Sequence, residues 1–150
     1  PSSQVPAQPA AFDDVIVHTS TSTKLNGILQ EILEAVPDEK VLVFSTLHQV
    51  LNELAKALEL RKVPFLFYVS GMPQHLRNTY VNAFAHKPQF RCLLMSTAIG
   101  GSGLDLHCAS RIILAEPIWQ WDLESQAVKR AWRIGQTRRV LVSTYVMRHT

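Results

Sequence analysis

The chain has 150 residues, enough for one domain with a substantial core. Hydrophobic residues make up 47% and charged residues 18%, which excludes wholesale disorder, and no apolar run approaches the roughly 20 residues of a membrane-spanning helix. Net charge is only +3 but uneven: six basic residues and no acid lie from Gln126 onward, leaving the preceding part at −3. A basic segment on a weakly acidic body suits an anionic partner such as phosphate or nucleic acid, and equally a solvated basic helix.

In chain order, Pro1 to Ala11 is rich in Pro, Ser, Gln and Ala, lacks basic residues, and matches neither a signal nor a transit peptide. Residues 1–21 are expected to be a poorly ordered linker or edge segment, and residues 22–150 the domain. Ser20 to Thr23 offer helix caps, and Leu25, Ile28, Leu29, Ile32, Leu33 and Val36 recur at helical spacing before Pro37. Lys40–Ser45 reads as a buried strand, Val50–Leu60 as a helix, Phe65–Val69 as a strand ending near Gly71, and Gln74–Phe84 as a helix with Pro73 at its start. Arg91–Ser96 reads as a third strand, followed closely by Gly100-Gly101-Ser102-Gly103. Arg111–Ala115 is a fourth strand, Asp122–Ile134 a helix and Val140–Val146 a fifth strand. Cys92 and Cys108 lie in or beside apolar segments, as core thiols in a reducing intracellular setting do.

Apolar strands alternating with helices predict an α/β domain, a mostly parallel sheet with helices on both faces. In such sheets ligands bind beyond the carboxyl ends of the strands, here the loops after Ser45, Val69, Ser96 and Ala115. No Gly-Lys dipeptide occurs, so a phosphate-cradling P-loop is excluded, and G-x-G-x-x-G, G-x-S-x-G and zinc-ligand spacings are also missing. Three groups remain. Thr97 to Asp105 follows a strand, with glycines that admit close backbone approach, a hydroxyl for a phosphate, and a carboxylate for a ribose hydroxyl. Gln126, Arg130 and Arg133 share one face of a helix, from which two guanidinium groups could grip a polyphosphate. Gln74 and Arg77 open the third helix, where a helix N-terminus favours anions. Each also reads as ordinary structure: a glycine turn, a basic stripe, a solvated arginine.

Taken in order, four blocks resemble a known family: Ser22-Thr23-Lys24-Leu25 ahead of an apolar helix, Val41-Leu42-Val43-Phe44-Ser45 (motif IV), Leu94 to Leu106 (motif V) and Gln126 to Gln136 (motif VI). The last, Q-A-x-x-R-A-x-R-I-G-Q, is the most specific. Over residues 22–148 the chain resembles the second RecA-like lobe of Swi/Snf-type ATPases, the DNA translocases of the superfamily-two helicases. It departs from the usual pattern at Ala98-Ile99 (Arg-Ala), Asp105 (Asn), Trp119-Gln120-Trp121 (Trp-Asn-Pro) and Trp132 (His), as a divergent branch would.

The resemblance implies a three-layer RecA-like domain. Arg130 and Arg133 would be arginine fingers, with Gln126, Gly103 and Asp105 near the nucleotide. Thr97, Ser45 and Arg77 would contact DNA phosphates. ATP with Mg2+ would be bound mainly by a first lobe upstream of residue 1, and this lobe would hold no metal and hydrolyse no ATP alone. Implied partners are double-stranded DNA or nucleosomes and the first lobe, with no membrane, in the nucleus. Two alternatives are a degenerate lobe kept for docking, with Trp119, Trp121 and Trp132 at an interface, and the lobe of an RNA helicase; Ile134-Gly135-Gln136 speaks against the latter.

Overall fold

The computed structural model describes residues 3–5, 14–18, 21–69, 71–96, 106, 108–117 and 140–147. Their elements are β1 (Ser3–Val5), β2 (Asp14–His18), α1 (Thr21–Ala35), β3 (Val41–Ser45), α2 (His48–Leu60), β4 (Phe65–Tyr68), α3 (Gln74–His86), β5 (Cys92–Ser96), β6 (Arg111–Leu114) and β7 (Val140–Met147). The sheet runs β1-β7-β6-β3-β5-β4, with β2 also on β7. Every pairing is parallel except that of β1 with β7.

The central strands are continuous apolar runs because both of their faces are covered. All five residues of β3 and of β5 are buried. Side chains alternate across the pleat. Leu42, Phe44, Leu93, Met95, Ile112, Leu114 and Val142 pack on Phe84 of α3, joined by Tyr80 and Val81. Val41, Val43, Cys92, Leu94, Ile113 and Tyr145 pack on the other face against Ile28 and Ile32 of α1 and Leu51, Leu54 and Leu58 of α2. The result is the expected three-layer α/β arrangement.

Chain reversals follow local backbone chemistry. Lys62 closes α2 in the left-handed region (φ 57°), its N–H donating to the Glu59 carbonyl while Val63 N–H donates to Leu58. That is a Schellman closure made without glycine. Gly71 (φ 88°) turns the chain from β4 toward α3, a conformation that a side chain would strain. Lys40 reaches the carbonyl oxygens of Phe84 and Lys87 at the end of α3 and lies over the Phe84 ring. It thereby satisfies carbonyls that a helix end leaves open. Burial, with Arg91 nearby, lowers its pKa against the opposing pull of Cys108.

Two findings depart from the sequence reading. First, α1 begins at Thr21, so Lys24 lies within the helix and is buried. Second, the stretch expected to be a linker contains two strands. Ser3–Val5 runs antiparallel along Val140–Val142, and Asp14–His18 runs parallel along Ser143–Met147. Because β6 occupies the opposite edge of β7, both lie on the same edge. The run Val15-Ile16-Val17 is the strand signal that the polar surroundings concealed.

Between α1 and the sheet lies a buried polar network. The Arg111 guanidinium donates to Glu31 at 3.1 Å and to Glu39 at 2.9 and 3.2 Å. Ser143 donates to Glu31 at 2.8 Å, and Tyr145 donates to the same carboxylate at 2.6 Å. Burial would lower the Arg111 pKa, but hydrogen bonds and charge from Glu39 and Glu31 outweigh it and raise the value. Burial first, then Glu31, pushes the Tyr145 phenol up. Glu31→Ala would remove one acceptor each from Arg111, Ser143 and Tyr145, while Glu39 still holds Arg111 and the Gly27 carbonyl still accepts from Tyr145. It is expected to cost about 1–3 kcal/mol, measured by urea unfolding, the range for lost hydrogen bonds to a charged group.

Burial pushes the Cys92 thiol up to about 12 from its ordinary 9.0. As pH rises above 9.0 the unfolded chain releases a proton that the native chain keeps, so this group's contribution to stability falls. Cys108 is only half-buried. Iodoacetamide at about pH 8 is expected to label native Cys108 and spare Cys92 until denaturant is added, as read by mass spectrometry. Labelling of Cys92 in the folded protein would contradict this packing.

Candidate functional site

In-register parallel pairing brings the carboxyl ends of the strands to one edge. Ser45 of β3 pairs with Ser96 of β5, and Phe44 with Leu114 of β6. Beyond Leu114, Ala115 N–H donates to the Phe44 carbonyl at 2.8 Å, and this carries Glu116 to the end of β3. The Glu116 carboxylate accepts the Ser45 hydroxyl at 2.7 Å through Oε2. Its Oε1 accepts the Thr46 backbone N–H at 2.8 Å and the Thr46 hydroxyl at 3.0 Å. Lys24 of α1 places Nζ 3.7 Å from Oε2, with side-chain exposures of 6% and 14% for the pair. Ser45 Oγ in turn accepts the Leu47 N–H at 3.0 Å.

This cluster fixes the start of the β3–α2 loop. Leu47 precedes α2 with no side-chain cap, so the order of this turn comes from Ser45 and Glu116. Thr46 and Leu47 remain exposed, whereas Ser45 is 1% exposed and its hydroxyl faces Glu116. Ser45 therefore shapes the loop from beneath in this structure, and Thr46 is the residue presented at the surface.

Arg77 lies in the first turns of α3, with its guanidinium over the Tyr68 ring at 5.6 Å. It donates to Gln74 at 2.6 Å, and its buried Nε has no hydrogen-bond partner among the described residues. Tyr68 ends β4, so Arg77 adds positive charge at the same edge of the sheet. The other predicted site residues, Thr97, Gly103, Asp105, Gln126, Arg130 and Arg133, lie outside the described residues, as does the helix expected at 122–134. What is described is where their segments attach: one leaves β5 at Ser96, and the other follows Pro117 and ends at Val140. Both therefore start beside the Ser45–Glu116 cluster.

Sequence reasoning missed Lys24, Thr46 and Glu116 as members of one site. One signal was available: Lys24, Ile28 and Ile32 fall on one helical stripe, so a lysine on the buried face required an acidic partner. Among the described residues, no cluster of three or more His, Cys, Asp or Glu could hold a metal ion, and no helix is long and apolar enough to cross a membrane.

The pattern of the helicase conserved C-terminal domain matches residues 23–135. The chain is 35% identical over 132 residues to the DNA repair protein rad8 of Schizosaccharomyces pombe, covering 86% of this chain and 12% of that protein. It is 35% identical over 118 residues to the DNA excision repair protein ERCC-6-like of Homo sapiens, covering 76% of this chain and 9% of that one. It thus spans no more than 12% of the length of these two relatives. The C-terminal part of the Fun30 ATPase domain matches with a TM-score of 0.78 at 28% identity, over 83% of this chain and 41% of that chain. The Sulfolobus solfataricus SWI2/SNF2 ATPase C-terminal domain shares the fold, with a TM-score of 0.61 at 17% identity, over 83% and 49% of the two chains. With that pattern running from Thr23 into the basic segment, the chain belongs to the helicase conserved C-terminal domain family, as a lobe of the SNF2/Swi2 type.

Proposed function

We propose that this chain is the second motor lobe of a longer, nuclear, ATP-dependent translocase of double-stranded DNA, acting on DNA or nucleosomes in repair or chromatin remodelling. The observation that carries this reading is the ordered Ser45–Thr46–Glu116 edge, from which the segments bearing Thr97 and Arg130 depart, in a chain whose family match spans residues 23–135. Relatives named as DNA repair proteins and as ATP-dependent helicases support it.

The exposed loop at Thr46 and the positive charge of Arg77 suit sugar–phosphate contacts, which position a strand without reading its sequence. Ser45 serves by ordering that loop, and Thr97 adds a second hydroxyl one residue beyond β5. Arg130 and Arg133 would face the phosphates, Gln126 would orient them, and Gly103 and Asp105 would meet the ribose side. Guanidinium, amide and carboxylate groups fit those partners chemically. ATP with Mg2+, held mainly by the first lobe, supplies the phosphoryl-transfer chemistry. Lacking a P-loop, this lobe alone would not turn ATP over.

In the full-length protein, Arg130→Ala and Arg133→Ala are each expected to lower DNA-stimulated ATP turnover by about a thousandfold or more. A wild-type protein with no turnover in the presence of DNA would favour instead a degenerate lobe retained for docking. Arg77→Ala is expected to weaken duplex binding and to reduce the slope of log affinity against log salt by about 1. The same change should cost no more than about 1 kcal/mol of stability, since only a cation–π contact and exposed hydrogen bonds are lost. An unchanged salt slope would remove Arg77 from the DNA-contacting set.

A further inference from the structure

We propose that Lys24 and Thr46 form a binding site for one phosphodiester group of DNA, and that the Glu116 carboxylate fills it as an internal competitor. The proposal rests on the DNA-contacting reading above and deepens it, naming the receiving groups and the group that opposes entry. Three observations carry it. First, donors from α1 and from the β3–α2 loop converge on one carboxylate: the Thr46 N–H at 2.8 Å, the Thr46 hydroxyl at 3.0 Å and the Lys24 ammonium at 3.7 Å. Second, that last separation exceeds hydrogen-bond reach, so Lys24 answers the charge of Glu116 without giving it an N–H. The Lys24 side chain is only 6% exposed, and among the described residues its ammonium makes no hydrogen bond. Third, Thr46 is exposed and Glu116 is partly so, which leaves both within reach of an arriving group.

A carboxylate and a phosphodiester each carry one negative charge and offer two acceptor oxygens. Exchanging one for the other leaves the charge of the cluster unchanged, so Lys24 keeps an anion beside it throughout. A nearly buried lysine left without one would be costly. The departure of Glu116 does not orphan Ser45, whose hydroxyl also lies 3.2 Å from the Leu47 carbonyl. The cluster sits beyond the carboxyl ends of β3 and β6, where parallel sheets take their ligands. Ordering of the loop already comes from the bonds that Ser45 and Thr46 give to Glu116. Lys24 adds a cation whose donors those bonds do not use. Because Glu116 and a phosphate draw on the same donors, a weaker acceptor at position 116 favours the phosphate.

The test measures duplex DNA binding by the full-length protein over a salt series, with ATP binding and thermal unfolding alongside. Four forms are compared: wild type, Glu116→Gln, Glu116→Asp, and Glu116→Gln combined with Lys24→Met. Glu116→Gln removes the competing charge and keeps the shape. It is expected to tighten duplex binding about tenfold at low salt and to steepen the slope of log affinity against log salt by about 1, with ATP affinity within about twofold. Glu116→Asp keeps the charge but draws the carboxylate back from Thr46, so a smaller gain in the same direction is expected; it serves as the probe if Glu116→Gln does not fold. The combined variant holds no unpaired charge and is expected to lose both the gain and the added slope. Unchanged or weaker duplex binding by folded Glu116→Gln, beside a wild type that binds, would overturn the proposal and leave the DNA-contacting reading standing. So would a gain that survives the loss of Lys24. Tightened ATP binding in place of tightened duplex binding would assign the phosphate to a nucleotide and overturn the DNA assignment. If no form binds duplex DNA, the DNA-contacting reading and this site fall together.

Discussion

The parallel, in-register pairing of β3 with its two neighbours is the constraint from which the rest of the structure follows. Parallel ladders allow no hairpins, so every connection must cross back over a face and cover it. That requirement makes β3 and β5 apolar on both sides and puts α1 and α2 on one face and α3 on the other. It also brings the chain out of β3, β4, β5, β6 and β7 at the same end. Ser45, Ser96 and Glu116 are neighbours for this reason alone, although 71 residues separate Ser45 from Glu116.

Among the described residues, two polar clusters built around carboxylates interrupt the apolar layers. Glu31 and Glu39 receive Arg111 at the amino-terminal end of β6, where α1 meets the sheet. Glu116 receives Ser45, Thr46 and Lys24 at the carboxyl end of β3. The first cluster joins α1 to β6 and β7 and so ties a helix layer to the sheet. The second ties α1 and the end of β6 to the β3–α2 loop, whose Thr46 and Leu47 are exposed.

The sheet strands were legible in the sequence to within a residue or two, because continuous apolar runs bounded by Pro, Gly and charge leave little ambiguity. Lys40–Ser45 was expected where Val41–Ser45 is found, and Arg91–Ser96 where Cys92–Ser96 is found. The Glu116 cluster was not legible. Glu116 lies 70 to 92 positions from the residues it gathers, and only the fold brings them together. Ser45 ends β3 where the strand was expected to end, and its hydroxyl turns to a carboxylate whose position no local pattern reveals. Of the short strands in the first 18 residues, Asp14–His18 carried a β-branched signal within polar surroundings, while Ser3–Val5 pairs through backbone donors and acceptors that every sequence carries.

The shared edge of β7 bears on how this lobe can be excised from a longer protein. The two ends of its sheet are not alike. At one end β4 offers four residues, too short to template much pairing. At the other, β7 is eight residues long, and its outer edge is occupied in halves by chain from before residue 19. A fragment trimmed to start at the family match near Thr23 would uncover that whole edge, a row of unsatisfied amides and carbonyls beside a β-branched strand. Such an edge invites self-association through strand addition, so the preceding residues act as a built-in guard of solubility.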